Sequence, residues 1–102
     1  MAEEEEKSLE ERIGSLRLPN DDEVFGVVEA SMGSGHMKVR CKDGNMRTCR
    51  IPGRLHKRLW IREGDVVIVK PWGVQSDEKG DIVYRYTQTQ VGWLRRAGIW
   101  EE

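Results

Sequence analysis

Long apolar runs are missing from this 102-residue chain, and no stretch approaches the roughly 18–20 residues a bilayer-spanning helix needs. The first residues, Met-Ala-Glu-Glu-Glu-Glu, are the reverse of a basic secretory leader, so a cytoplasmic location is expected. Cysteine is nearly absent. Cys41 and Cys49 flank Asp43-Gly44, and no second pair exists to complete a metal site of the usual spacing. In a hairpin turning at Asp43-Gly44 they are not directly opposite each other, which argues against a disulfide and for two small buried thiols. Gly33-Ser34-Gly35 lacks the following lysine of a phosphate loop. His36 and His56 have no carboxylate and nucleophile at an interpretable spacing. No catalytic constellation, metal set or cofactor motif emerges, which points to a binding module and away from an enzyme.

The formal charge is only −1, but it is segregated along the chain. Residues 1–23 hold nine acids and three bases, whereas residues 36–72 hold ten bases and only Asp43, Glu63 and Asp65 as acids. Binding follows the local field and not the total, so the basic middle is the informative part. The run of four glutamates and the stop at Leu18-Pro19-Asn20 suggest an acidic flexible tail over residues 1–20. Leu9, Ile13 and Leu16 could alternatively line one side of a short helix.

From Glu23 the hydrophobic period becomes two, the mark of half-buried strands. Gly26, Val28, Ala30 and Met32 form one face of a first strand. Met37, Val39 and Cys41 then alternate with His36, Lys38, Arg40 and Lys42, apolar on one side and basic on the other. Asp43-Gly44 is a hairpin signal, and the return strand carries Cys49 and Ile51 inward with Thr48 and Arg50 outward. Asp65 to Lys70 reads as a buried strand, Pro71 to Gly80 as a polar loop, and Asp81 to Thr87 as a fifth strand with Ile82, Tyr84 and Tyr86 on one side. Thr87-Gln-Thr-Gln90 fits a capping box for a terminal helix ended by Gly98. Five short strands with a helical turn between the third and fourth give an all-β OB-fold, a five-stranded Greek-key barrel, over residues 21–87. Residues 88–102 are expected to form a helix packed on the barrel, with Trp72, Trp93 and Trp100 helping to seat it.

Between strands three and four lies Arg50-Ile-Pro-Gly-Arg-Leu-His-Lys-Arg-Leu-Trp60-Ile-Arg62, which crowds five cations around one turn. Leu55, Leu59 and Trp60 can tuck inward and leave Arg54, His56, Lys57 and Arg58 facing water. The candidate RNA-binding residues are therefore Lys38, Arg40, Lys42, Arg47, Arg50, Arg54, His56, Lys57 and Arg58. Strands two and three carry no aromatic residue, so this surface is expected to read phosphate and shape more than unpaired bases.

Asp43-Gly44, Cys49, Ile51, Gly53-Arg54-Leu55, Lys57-Arg58, Trp60-Ile61, Asp65-Val66, Lys70, Asp81, Arg85-Tyr86 and Leu94 resemble the archaeal and eukaryotic translation initiation factor 1A family, which is related to bacterial initiation factor 1. The resemblance spans Val24 to Glu102. It implies a non-enzymatic barrel that binds small-subunit ribosomal RNA at the aminoacyl (decoding) site and promotes initiator tRNA and messenger binding. It also implies contact with other initiation factors, and a monomer when off the ribosome. The chain departs from eukaryotic members, whose N-terminal tail is basic and C-terminal tail long and acidic. Two other readings of the residues are a protein-interaction adaptor built on a small barrel and a general single-strand RNA chaperone.

Overall fold

A computed structural model describes residues 9–53 and 61–101. Five strands, β1 (Val24–Gly33), β2 (His36–Cys41), β3 (Met46–Arg50), β4 (Val66–Pro71) and β5 (Lys79–Arg85), close into a barrel in the order β1-β2-β3-β5-β4. β1 pairs antiparallel with both β2 and β4, and the parallel β3–β5 pair completes the cylinder. This is the OB-fold expected from the strand count. The interior holds Val28, Met37, Val39, Cys41, Cys49, Ile51, Ile61, Val67, Val69 and Ile82, the inward positions of alternating strands. Both cysteines are buried and unbridged.

The β2–β3 turn follows its sequence chemistry. Cys41 and Asn45 pair across Lys42-Asp43-Gly44, with Gly44 at φ +93°. Glycine tolerates that left-handed conformation without a Cβ clash. Gly80 serves a different purpose. A Cβ there would lie 2.8 Å from Val69 Cγ1 and 3.1 Å from the Lys70 carbonyl oxygen, so its absence lets β4 and β5 close together.

Bulges change two assignments made from alternation, and one strand boundary shifts as well. β1 slips register between Val28 and Ala30 and again between Ser31 and Gly33, which leaves Met32 55% exposed instead of inward. β5 inserts Val83 between the partners of Ile68 and Val69, so Tyr84 pairs with Ile68 and leaves the face of Ile82. β5 also starts at Lys79, two residues before the expected Asp81, which brings the end of the polar loop into the sheet.

The barrel, residues 19–86, is one compact unit, and the two terminal segments form another. In the second unit, α2 (Gln88–Arg96) starts with the expected capping box. Gln90 donates its backbone N–H to the Thr87 hydroxyl at 3.2 Å, and its side chain accepts from the Thr87 N–H at 2.9 Å. Within residues 9–20, the described part of the expected acidic tail, α1 (Leu9–Gly14) is helical and lies against α2, as the alternative of a short helix had it. The Arg12 guanidinium is 5.6 Å from the Trp93 ring centroid. A six-residue helix is far too short to persist alone, so this one depends on its tertiary partner.

Candidate nucleic-acid interface

The outward side chains of β2, β3 and β5 form two neighbouring rows across the barrel wall. Lys38 pairs with Thr48, and Thr48 with Lys79. One rung away, His36 pairs with Arg50, Arg50 with Asp81, and Asp81 with Lys70 on β4. Directly paired residues in a sheet sit about 4.5–5.5 Å apart, so these cations share one surface. Arg40 continues the same face of β2, and Lys42 follows just past the strand; both are exposed. The expected residues Lys38, Arg40, Lys42 and Arg50 are thus brought together.

Carboxylates of the chain itself cover part of this face. Arg40 Nε donates to Glu29 Oε2 at 2.7 Å, and Arg50 Nη2 lies 3.1 Å from Asp81 Oδ2. Lys70 Nζ is 3.6 Å from Asp22. The three basic side chains are 52%, 55% and 56% exposed, so each pair is worth at most about 1 kcal/mol. A phosphate could replace such a carboxylate at little cost.

Arg47 is not on this surface. Its partner across β2 is the core residue Val39, so it points inward, and it is only 3% exposed. Its Nη1 and Nη2 donate to the two Asp43 oxygens at 3.0 and 2.9 Å, and Nε donates to the Ser76 carbonyl at 2.6 Å. The side chain ties the β2–β3 turn to the β4–β5 loop and has no face left for RNA. Its assignment as an RNA contact is therefore corrected to that of a structural clamp. Hydrogen bonding from Arg47 holds the Asp43 carboxyl below the usual carboxylate range, against an opposing effect of burial. Burial works against the charge of Arg47, but Asp43 and Cys41 outweigh it and keep the guanidinium firmly protonated. Burial pushes the Cys41 thiol up, with Arg47 partly offsetting it. The Cys49 thiol is pushed up to about 12, chiefly by burial, which leaves it neutral and unreactive.

Arg54, His56, Lys57 and Arg58, together with Leu55 and Trp60, lie outside the described residues. In the sequence they follow the end of β3 at Arg50, and the described residues on either side include two core residues, Ile51 and Ile61. Sequence reasoning missed Lys79 and Trp72 as members of this face. Trp72 belongs to the barrel unit. Its backbone N–H donates to the Lys79 carbonyl at 3.1 Å, and its indole Nε1 to Asp81 Oδ1 at 3.0 Å. The signal that could have found Lys79 was the alternation of Lys79 and Asp81 against Gly80 and Ile82, obscured because the loop was drawn through Gly80.

The chain matches the family model described as "Translation initiation factor 1A / IF-1" over residues 13–102. It is 57% identical over 98 residues to the translation initiation factor 1A of Pyrococcus abyssi, covering 96% of this chain and 87% of that protein. The corresponding protein of Thermococcus kodakarensis is 61% identical over 87 residues, covering 81% of this chain and 74% of the relative. Among solved structures, the bacterial-type translation initiation factor 1 from a Wolbachia endosymbiont of Brugia malayi superposes with a TM-score of 0.51 at 25% identity, covering 68% of this chain and 82% of that one. YjeQ from Thermotoga maritima shares the fold, with a TM-score of 0.53 at 22% identity over 64% of this chain and 23% of the other. No helix among the described residues is long and apolar enough to cross a membrane. With a family match across nearly nine-tenths of its length and archaeal relatives above half identity, this chain belongs to the translation initiation factor 1A / IF-1 family, whose role in translation initiation is non-enzymatic.

Proposed function

We propose that this protein binds the small ribosomal subunit through its RNA, occupies the aminoacyl (decoding) site, and promotes initiator tRNA and messenger binding. The observation that carries the reading is the pair of cross-strand rows, with Lys38, Arg50, Lys70 and Lys79 on the outer wall of β2, β3, β4 and β5. β3 ends at Arg50, within the second of these rows, and Arg54, His56, Lys57 and Arg58 follow it in the sequence. Lys38, Arg40, Lys42 and Arg50 hold flanking RNA backbone, and the four residues of the basic turn engage the decoding helix. Occupying that site excludes elongator tRNA by volume alone. Two anchors in the core, Ile51 and Ile61, limit the entropy lost when the turn is inserted. The protein acts as a monomer off the ribosome, in the cytoplasm, and meets initiator tRNA and other initiation factors on the subunit.

The test replaces Arg54, Lys57 and Arg58 together with Ala and measures binding to purified small subunits across a salt series. Each phosphate contact contributes roughly 0.7–0.9 to the logarithmic salt slope, so the variant should lose about two to three units along with much of its affinity. Its melting transition should match the parent's. Unchanged affinity and slope would sink the assignment. Salt-independent binding by the parent protein would favour the adaptor reading instead.

A further inference from the structure

Trp72 sits within the basic face. Lys79 is its backbone partner, and Lys79 belongs to the same outward row as Thr48 and Lys38. Pro71, the last residue of β4, pairs with the inward Gly80, and Trp72 follows it just past the strand end. Two further contacts fix the indole there. Its Nε1–H is held by Asp81 at 3.0 Å, and the Arg50 guanidinium is 5.9 Å from the ring centroid. Asp81 bonds Arg50 as well, so ring and guanidinium are positioned by one carboxylate. Trp72 is half-buried, not sealed in a core. Its hydrogen bond goes to a surface carboxylate, and its ring lies beside Arg50 on the wall whose neighbouring row carries Lys79 and Lys38.

We propose that Trp72 is a base-stacking contact: an unpaired RNA base lies on the indole while Arg50, Lys79 and Lys38 hold the adjoining phosphates. The inference rests on the ribosomal RNA reading and adds to it one nucleotide recognised by its ring. An aromatic ring already fixed by two contacts loses little conformational freedom when a base settles on it. Stacking is tolerant of base identity, because every base presents a π face. The surface therefore combines phosphate attraction with one anchoring stack, which the sequence of β2 and β3 does not reveal.

The experiment measures affinity of the dye-labelled full-length protein for purified archaeal small ribosomal subunits by anisotropy, at several salt concentrations. Three variants separate the possibilities. Trp72→Phe keeps a ring but loses the donor to Asp81, Trp72→Gln keeps a donor but has no ring, and Trp72→Leu has neither. The expected result is Phe within about threefold of the parent, with Gln and Leu both weaker by about 5- to 100-fold, the range for one stacked base. Salt slopes should stay equal throughout, since the indole neutralises no phosphate. Melting curves check the fold, and Gln provides the ringless comparison if Leu proves unstable. Full affinity in the ringless variants overturns the stack while leaving the ribosomal reading intact. Phe as weak as Leu overturns it too, and makes Trp72 a tether for Asp81. Parent protein that shows no salt-dependent binding to subunits removes the ribosomal reading, and the stack falls with it.

Discussion

Replacing Arg47 with Met separates a clamp from an RNA contact. Methionine retains an unbranched stem of similar reach but removes three charge-assisted hydrogen bonds, two to Asp43 and one to the Ser76 carbonyl. Removing one member of a buried pair typically costs about 3–5 kcal/mol, because the other is left uncompensated. Here Asp43 is a third exposed and can recover water, so about 2–4 kcal/mol is the expected loss. For a domain of this size that is about 10–25 °C in Tm, readable by circular dichroism. The pH dependence adds a second signature. The folded-state pKa of Asp43 is depressed, so its contribution is full above the unfolded value of about 3.9 and is lost as pH falls through the lower folded value. The gap between parent and variant should be full at pH 7 and begin to narrow below about pH 4. It should lose the Asp43 share as pH falls through the lower folded value, while the share from the Ser76 carbonyl bond remains. Amide exchange in the 72–78 loop should quicken, since Arg47 holds the Ser76 carbonyl. Subunit binding should keep its salt slope. A variant that melts like the parent but loses about one unit of slope would return Arg47 to the RNA surface and refute the clamp.

Two further outcomes follow from the same geometry. Glu29→Gln removes the carboxylate 2.7 Å from Arg40 and should raise affinity for small subunits a few-fold at low salt, with the gain fading as the Debye length shrinks; unchanged or weaker binding at low salt would show that Arg40 meets no phosphate. Gly80→Ala forces a Cβ against the Val69 side chain and the Lys70 carbonyl and should lower stability by about 1–3 kcal/mol in urea denaturation, whereas an unshifted midpoint would mean that β4 and β5 separate there without cost.

What the sequence determined by itself is the set of features governed by neighbours along the chain. The β2–β3 hairpin is one: Asp43-Gly44 fixes the turn, and alternation from Met37 to Cys41 fixes which side is basic. The capping box at Thr87 and Gln90 is another, because both partners lie within one helical turn. Strand number and order were also readable, and with them the barrel. Arg47 shows where local information ran out. Alternation already put it on the side of Cys49 and Ile51, but a charge is costly to bury without partners, so the outer surface was the natural expectation. The partners that make burial possible include a backbone carbonyl 29 residues away, which only the folded barrel brings close. Tyr84 and Met32 changed faces because one extra residue in a strand reverses every side chain beyond it. Trp72 and Lys79 joined the basic face only through the parallel β3–β5 pairing that closes the cylinder. Period and turn chemistry are properties of adjacent residues and survive in the sequence. Closure, bulges and buried ion pairs depend on residues far apart in the chain, and the tertiary structure alone decided them.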